Sequence, residues 1–207
     1  MHIPFLRPRN SKEMLPLKAS ELERMPYFFD LATKTRSVDG DVVETGVGWG
    51  KSLIMLACCM DMLKLDRNIY GFDSFSGFPE PHELDLGGKA RKGHYKTSMR
   101  FVRHRLDSYS MYTKKINLVR GYVEATLKNY QGKIAILHID LDIYEGYKTT
   151  LDTLYPLVEP GGIIAFDEYQ SNLKWPGAKK AVDQFIERTG ETLQKSTYID
   201  RYYIIKK

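Results

Sequence analysis

Residues 41–52 read Asp41-Val42-Val43-Glu44-Thr45-Gly46-Val47-Gly48-Trp49-Gly50-Lys51-Ser52. A short β-branched run, Asp41 to Glu44, leads into glycines at every second position, and an apolar helical pattern from Ser52 to Leu65 follows. Strand, glycine turn and helix form the opening unit of a parallel α/β sheet, with a turn whose backbone a bound nucleoside can approach closely. The same stretch ends in Gly50-Lys51-Ser52, the close of a phosphate-binding G-x-x-x-x-G-K-[ST] loop, but that loop's opening glycine would fall on Thr45. Gly46, Gly48 and Gly50 suit an E-x-G-x-G-x-G nucleoside turn better. A tight turn with no ligand remains open at this point.

Working outward, strand patterns at Asn68 to Phe72, Ile116 to Val119, Ile134 to Ile139 and Gly162 to Phe166 alternate with helical ones. The helices are expected at Thr97 to Leu106, Tyr147 to Tyr155 and Ala178 to Arg188, the last with Ala178, Ala181, Val182, Phe185 and Ile186 at helical period. Upstream, Ser20-Glu21-Leu22-Glu23 reads as a capping box that opens a helix, which Pro26 then breaks or kinks. In the tail, Glu191 to Lys195 and Thr197 to Ile205 have no helix between them and are expected to pair as an antiparallel hairpin. The fold expected is therefore α/β, doubly wound and Rossmann-like. Its mostly parallel, seven-stranded sheet ends in an antiparallel C-terminal strand, the class I methyltransferase variant of that architecture. Residues 1–207 form one domain, with an N-terminal helical cover over 1–38 and a core over 39–207. The Gly- and Pro-rich stretch 74–95 is expected to be a lid loop.

At 207 residues the chain suits a single domain, and 43% hydrophobic with 28% charged residues excludes a disordered, collagenous or coiled-coil chain. The longest apolar run, Leu53 to Met60, is far short of the ~20 residues that cross a bilayer. The first residues, Met1-His2-Ile3-Pro4-Phe5-Leu6-Arg7, lack a secretory h-region, so a cytoplasmic location is expected. Adjacent Cys58 and Cys59 have no metal-ligand or disulfide spacing and read as core thiols. Net charge is +5, and Lys89 to Arg105 holds seven basic residues and no acidic one. That run is either a solvated face or a surface for an anionic partner.

Chemistry concentrates where strands end. Asp73 closes the second strand, where an acid can hold a ribose diol. His138-Ile139-Asp140-Leu141-Asp142 and Asp167-Glu168-Tyr169 put four carboxylates at one sheet edge, on the side where open α/β folds bind ligands. Four unpaired acids repel one another, whereas a hard divalent cation neutralises them through oxygen ligands. Helix capping could account for any one of them, less readily for all four. His138, inside an apolar strand, reads as a satisfied core histidine rather than a ligand.

Taken together, Glu44-Thr45-Gly46-Val47, Asp73-Ser74-Phe75-Ser76-Gly77-Phe78-Pro79, His138 to Tyr144, Leu154 to Gly162, and Asp167-Glu168-Tyr169 with Gly177-Ala178 resemble the macrocin O-methyltransferase family, in matching order over residues 40 to 188. That resemblance implies an S-adenosylmethionine-dependent, Mg²⁺-requiring enzyme that methylates sugar hydroxyls. It implies that Glu44, Gly46, Gly48, Asp73 and Ser74 line the cofactor site, that Asp140, Asp167 and Glu168 hold the metal, and that Asp142 is the catalytic base. Three departures stand out. Glu168 replaces the family's usual Asp, Gly48-Trp49-Gly50-Lys51 replaces W-R-G-G, and Ala125 replaces an acid before Thr126-Leu127. The acceptor is expected to be a small hydroxylated, sugar-like molecule, with no membrane contact and a homo-oligomer left open. A nucleic-acid methyltransferase using the basic run is the first alternative, but acids at the site would repel phosphates. A P-loop kinase or NTPase, with Asp140 as its Walker-B-like acid, is the second, and a non-catalytic binding module the third.

Overall fold

The structure is a computed structural model and describes residues 22–109, 115–171 and 173–207. Strands and helices alternate as α1 (Arg24–Lys34), β1 (Asp41–Thr45), α2 (Lys51–Met62), β2 (Ile69–Asp73), α3 (Met99–Asp107), β3 (Ile116–Arg120), α4 (Val123–Thr126), β4 (Ile134–Ile139), α5 (Tyr144–Leu154), β5 (Val158–Phe166), α6 (Pro176–Thr189), β6 (Leu193–Lys195) and β7 (Tyr202–Ile205). They build one seven-stranded sheet in the order β3-β2-β1-β4-β5-β7-β6. The β1–β2, β2–β3, β1–β4 and β4–β5 pairs are parallel. β7 runs antiparallel to both of its neighbours, so the C-terminal hairpin and its reversed strand are as the sequence predicts.

Period-two alternation explains the two layers. Val43, Leu137, Ile139, Ile164 and Phe166 point to one face of the sheet and pack under α5 and α6. Val42, Ile136, Ile163 and Ala165 point to the other, under α1 and α2. The central strand β4 is buried at every position because both of its faces are covered. No helix among the described residues is long and apolar enough to cross a membrane.

Two local expectations are corrected. Pro26 lies in the first turn of α1, where a backbone N–H has no intrahelical acceptor, so the helix runs on through it. The capping-box residues Ser20 and Glu21 fall outside the described residues. α5 starts at Tyr144 rather than Tyr147, because the buried Asp85 supplies its cap: Tyr144 N donates to Asp85 Oδ1 at 2.9 Å. Residues 74–98 contain only a short 3₁₀ turn (Glu83–Asp85), yet they are pinned by backbone bonds from Phe78 N to His94 O (3.0 Å) and from Gly93 N to Phe78 O (2.9 Å).

Candidate active site

The sheet order reverses between β1 and β4, and a cleft of about 530 Å³ opens at their carboxyl ends, the position where ligands of open α/β sheets bind. One wall is the glycine turn. Asp140 N donates to Thr45 O at 2.8 Å, bringing the two strand ends so close that a Cβ on Gly46 (φ +91°) would lie 1.7 Å from Asp140 O. Only glycine fits there. At Gly48 (φ +52°) a Cβ would meet nothing within 4 Å, so that side of the turn faces open cleft and leaves room for a ligand against the backbone. Asp73 braces the turn from β2: its Oδ2 accepts from Gly48 N at 2.9 Å and its Oδ1 from Phe75 N at 2.6 Å. Burial raises the Asp73 pKa, and these amide donors oppose the rise.

The floor carries the acids. Asp140, Asp142 and Glu168 each offer a carboxylate oxygen, all within 4.8 Å of one another. Burial first, and neighbouring carboxylates second, push the Asp140 pKa up to about 6 and that of Asp142 up to about 8. The same causes hold the Glu168 carboxyl well above the usual range. An all-oxygen set whose members disfavour one another's charge fits a hard cation such as Mg²⁺. Asp142 stands at φ 65° in a three-residue turn closed by Ile143 N donating to Leu141 O at 2.8 Å, the rare strained form of the γ-turn. Such strain collects at functional sites and persists only where the surroundings enforce it. Glu168 is fixed from below by the buried Tyr147 hydroxyl.

Asp167 lies beside Asp140, with a carboxylate oxygen of each and a ring nitrogen of His138 within 4.8 Å of one another, and it faces a further set of partners. Arg24 of α1 ion-pairs with it, and Arg201, just before β7, donates from Nε to Oδ1 at 3.1 Å and from Nη2 to Oδ2 at 3.3 Å. Burial alone would raise the Asp167 pKa, but Arg24, His138 and Arg201 hold it well below the usual carboxylate range. Arg24 also reaches Asp140, at 3.9 Å. His138 is fully buried between Glu44, whose Oε1 lies 2.8 Å from Nδ1, and Asp167, whose Oδ1 lies 3.7 Å from Nε2. Burial lowers its pKa, yet the two carboxylates win and carry it up to about 9.

The cleft therefore brings together Gly46, Gly48, Asp73, Ser74, Asp140, Asp142, Asp167 and Glu168. Glu44 stands apart, sealed beneath the floor as the partner of His138. Ser74 borders the cleft and shapes its own turn, its Oγ donating to Gly77 O at 3.1 Å and accepting from Ser76 N at 3.0 Å. The cation pair Arg24 and Arg201 was not legible in the sequence, since each is a lone arginine in a segment with no motif, and only the fold carries both to Asp167. Asp85 is likewise a lone loop acid. It caps α5 and sits where a Cβ on Gly177 would be 1.9 Å from its Oδ1, which joins the 74–98 loop to α6. Phe78, Tyr95 and Trp175 line the cleft as a ring cluster, with centroids 5.3 Å apart for Phe78–Tyr95 and 5.8 Å for Phe78–Trp175.

Comparison with known proteins gives a consistent picture. Residues 22–202 match the family model described as Macrocin-O-methyltransferase (TylF). The chain is 30% identical over 157 residues to demethyldecarbamoylnovobiocin O-methyltransferase of Streptomyces niveus, covering 72% of this chain and 59% of that protein. It is 27% identical over 163 residues to mycinamicin III 3''-O-methyltransferase of Micromonospora griseorubida, covering 74% and 63%. The chain thus spans about three fifths of the length of these curated relatives. Among solved structures, the calicheamicin methyltransferase CalS11 superposes with a TM-score of 0.79 at 26% identity, over 91% of this chain and 80% of that one.

Proposed function

The chain belongs to the macrocin O-methyltransferase family, and from that membership and the cleft we propose that it transfers a methyl group from S-adenosylmethionine to a hydroxyl of a sugar or similar polyol, in natural-product or glycan biosynthesis. The observation that carries the proposal is the contact of Gly46 with Asp140: one cleft joins a glycine turn open to a nucleoside with a floor of converging carboxylates. The named relatives are O-methyltransferases of demethyldecarbamoylnovobiocin and of mycinamicin III, in keeping with this reading.

Bound S-adenosylmethionine would supply an electrophilic methyl on its sulfonium. The open backbone at Gly48 would receive the nucleoside, and Asp73 would accept from the ribose hydroxyls while bracing the turn. Asp140, Asp167 and Glu168 would hold a Mg²⁺ ion, which lowers the pKa of the acceptor hydroxyl and orients it. Asp142, converging with Asp140 and Glu168 from its strained turn, would take the hydroxyl proton as the oxygen–methyl bond forms and the sulfur–methyl bond breaks. Rate would come mostly from in-line positioning of the two reactants. The 74–95 segment, anchored through Asp85 to α5 and α6, would cover the acceptor side as a lid.

The test is incubation with methyl-labelled S-adenosylmethionine and a panel of glycosides, followed by mass spectrometry. A methyl ether on a glycoside, lost in EDTA and restored by Mg²⁺, is the expected result. Full transfer in chelator would remove the metal from the account.

A further inference from the structure

Tyr95 closes the 74–95 segment and has no part in the chemistry above. It stands at φ 58°, a left-handed conformation that a bulky side chain rarely takes and that persists only where the surroundings enforce it. The enforcement is visible one residue back, where Phe78 N donates to His94 O at 3.0 Å and a Cβ on Gly77 would lie 2.6 Å from the same oxygen. Phe75 is strained in the same way at φ 54°, but its ring is buried in the core, so packing offsets the strain. Tyr95 is 45% exposed, and packing alone leaves its strain unexplained.

What the strain achieves is a position. Tyr95 lines the cleft with its ring centroid 5.3 Å from that of Phe78 and 6.2 Å from those of Trp49 and Trp175, which line the cleft as well. Trp49 belongs to the glycine turn and Trp175 precedes α6, so the Tyr95 ring stands where the donor wall, the 74–95 segment and α6 meet. Its hydroxyl has no hydrogen-bond partner among the described residues, in contrast to that of Tyr147, which donates to Ile139 O at 2.8 Å. Burial first, then the carboxylates of Asp142, Asp140 and Glu168, raises the Tyr95 pKa, so the phenol is a neutral donor within the field of the acidic floor.

The floor carboxylates accept from any hydroxyl, so they cannot choose among those of a polyol, whereas a donor held at a fixed place can. Tyr95 offers a sugar two contacts at once, an aromatic face for the C–H face of the ring and a donor for one of its oxygens. We propose that Tyr95 positions the acceptor: its ring carries the sugar ring, and its phenol donates to the oxygen adjacent to the hydroxyl that Asp142 deprotonates, which selects the hydroxyl that is methylated. This rests on the methyltransferase reading and assigns a residue to the choice of hydroxyl within it.

Trp49 and Trp175 are the chain's two tryptophans, so intrinsic fluorescence reads the surroundings of Tyr95. The test titrates the full chain, with Mg²⁺ and S-adenosylhomocysteine present, with the methyl glycosides of glucose, galactose and mannose. Methyl transfer from S-adenosylmethionine to the same glycosides is run in parallel, and NMR locates the methyl ether. The proposal predicts a saturable fluorescence change with at least one glycoside, with affinity weakened by about tenfold in Tyr95→Leu, which removes the aromatic face. Tyr95→Phe keeps that face and should bind the glycoside with near-parent affinity, yet lower kcat by about tenfold for the lost hydrogen bond and spread the methyl over a second hydroxyl. A merely structural role would not move the position of the methyl. No response to any glycoside, binding without methyl transfer, parent-like affinity in Tyr95→Leu, or unchanged kcat and methyl position in Tyr95→Phe would overturn the proposal. Titration of S-adenosylhomocysteine alone separates the two claims: unchanged affinity in both variants shows that they are folded and leaves the methyltransferase reading standing, whereas absence of binding to the parent chain counts against that reading itself.

Discussion

The Gly46 Cα and the Asp140 carbonyl oxygen approach so closely that any side chain at 46 would penetrate the backbone of the β4–α5 turn. The cofactor wall and the acidic floor are thereby one mechanical unit. Gly46→Ala should displace Asp140 as well as strain φ +91°, costing roughly 2–5 kcal/mol from overpacking and backbone strain combined. Thermal unfolding would read the loss, and nucleotide and Mg²⁺ affinity should fall together. Loss of one without the other would contradict the coupling.

Asp73 is expected to contribute to cofactor affinity twice, through the ribose and through its bond to Gly48 N. Asp73→Ala should weaken S-adenosylhomocysteine binding by about 1.5–3 kcal/mol, the range for hydrogen bonds to charged groups. Calorimetry at fixed salt measures this directly.

The acids of the floor make the metal-free protein sensitive to pH. Their folded-state pKa values lie above the ordinary ones, with Asp140 at about 6 and Asp142 at about 8. Stability from this source is present in full near pH 4 and declines as pH rises through 6 and 8. In EDTA the melting temperature should therefore fall between pH 5 and pH 8.5. Asp142→Asn should flatten that fall, and Mg²⁺ should stabilise the protein more at pH 8 than at pH 6, since protons compete less for the carboxylates there.

Arg24 occupies Asp167 and stands 3.9 Å from Asp140. A cation on these acids must share them with the guanidinium. Arg24→Gln should raise Mg²⁺ affinity, by roughly fivefold for a partly exposed ion pair worth about 1 kcal/mol, while Arg201 continues to neutralise Asp167. Unchanged or weaker Mg²⁺ binding would show that Asp167 is not a ligand and serves only to clamp α1 and the C-terminal hairpin.

Asp142→Asn removes basicity while keeping shape. If Asp142 is the base, kcat should drop by about 10²–10⁴-fold with S-adenosylmethionine affinity unchanged. Near-normal kcat across pH would instead assign the proton to solvent.

Much of this was legible in the residues because the signals are local. Period-two strands such as Ile134 to Ile139, the glycines after β1 and the acids after β4 and β5 each depend on neighbours a few positions away. What escaped depends on distant partners. Arg24 and Arg201 meet only because α1 and the hairpin converge on Asp167, and Asp85 matters only because it caps α5 some 59 positions away. Glu44 reads as a cofactor residue from its motif, and its burial against His138 is set by the β1–β4 register, which no single strand specifies. Pro26 misled because a proline's effect reverses between the interior of a helix and its first turn.

The central claim is that the cleft at the β1 and β4 ends is a methyl-donor site, and titration of S-adenosylmethionine and ATP into the full chain tests it most directly. The account predicts saturable one-to-one binding of S-adenosylmethionine, abolished by Gly46→Ala and weakened by Asp73→Ala, with ATP bound feebly or not at all. Tight ATP binding in the absence of any S-adenosylmethionine binding would contradict it.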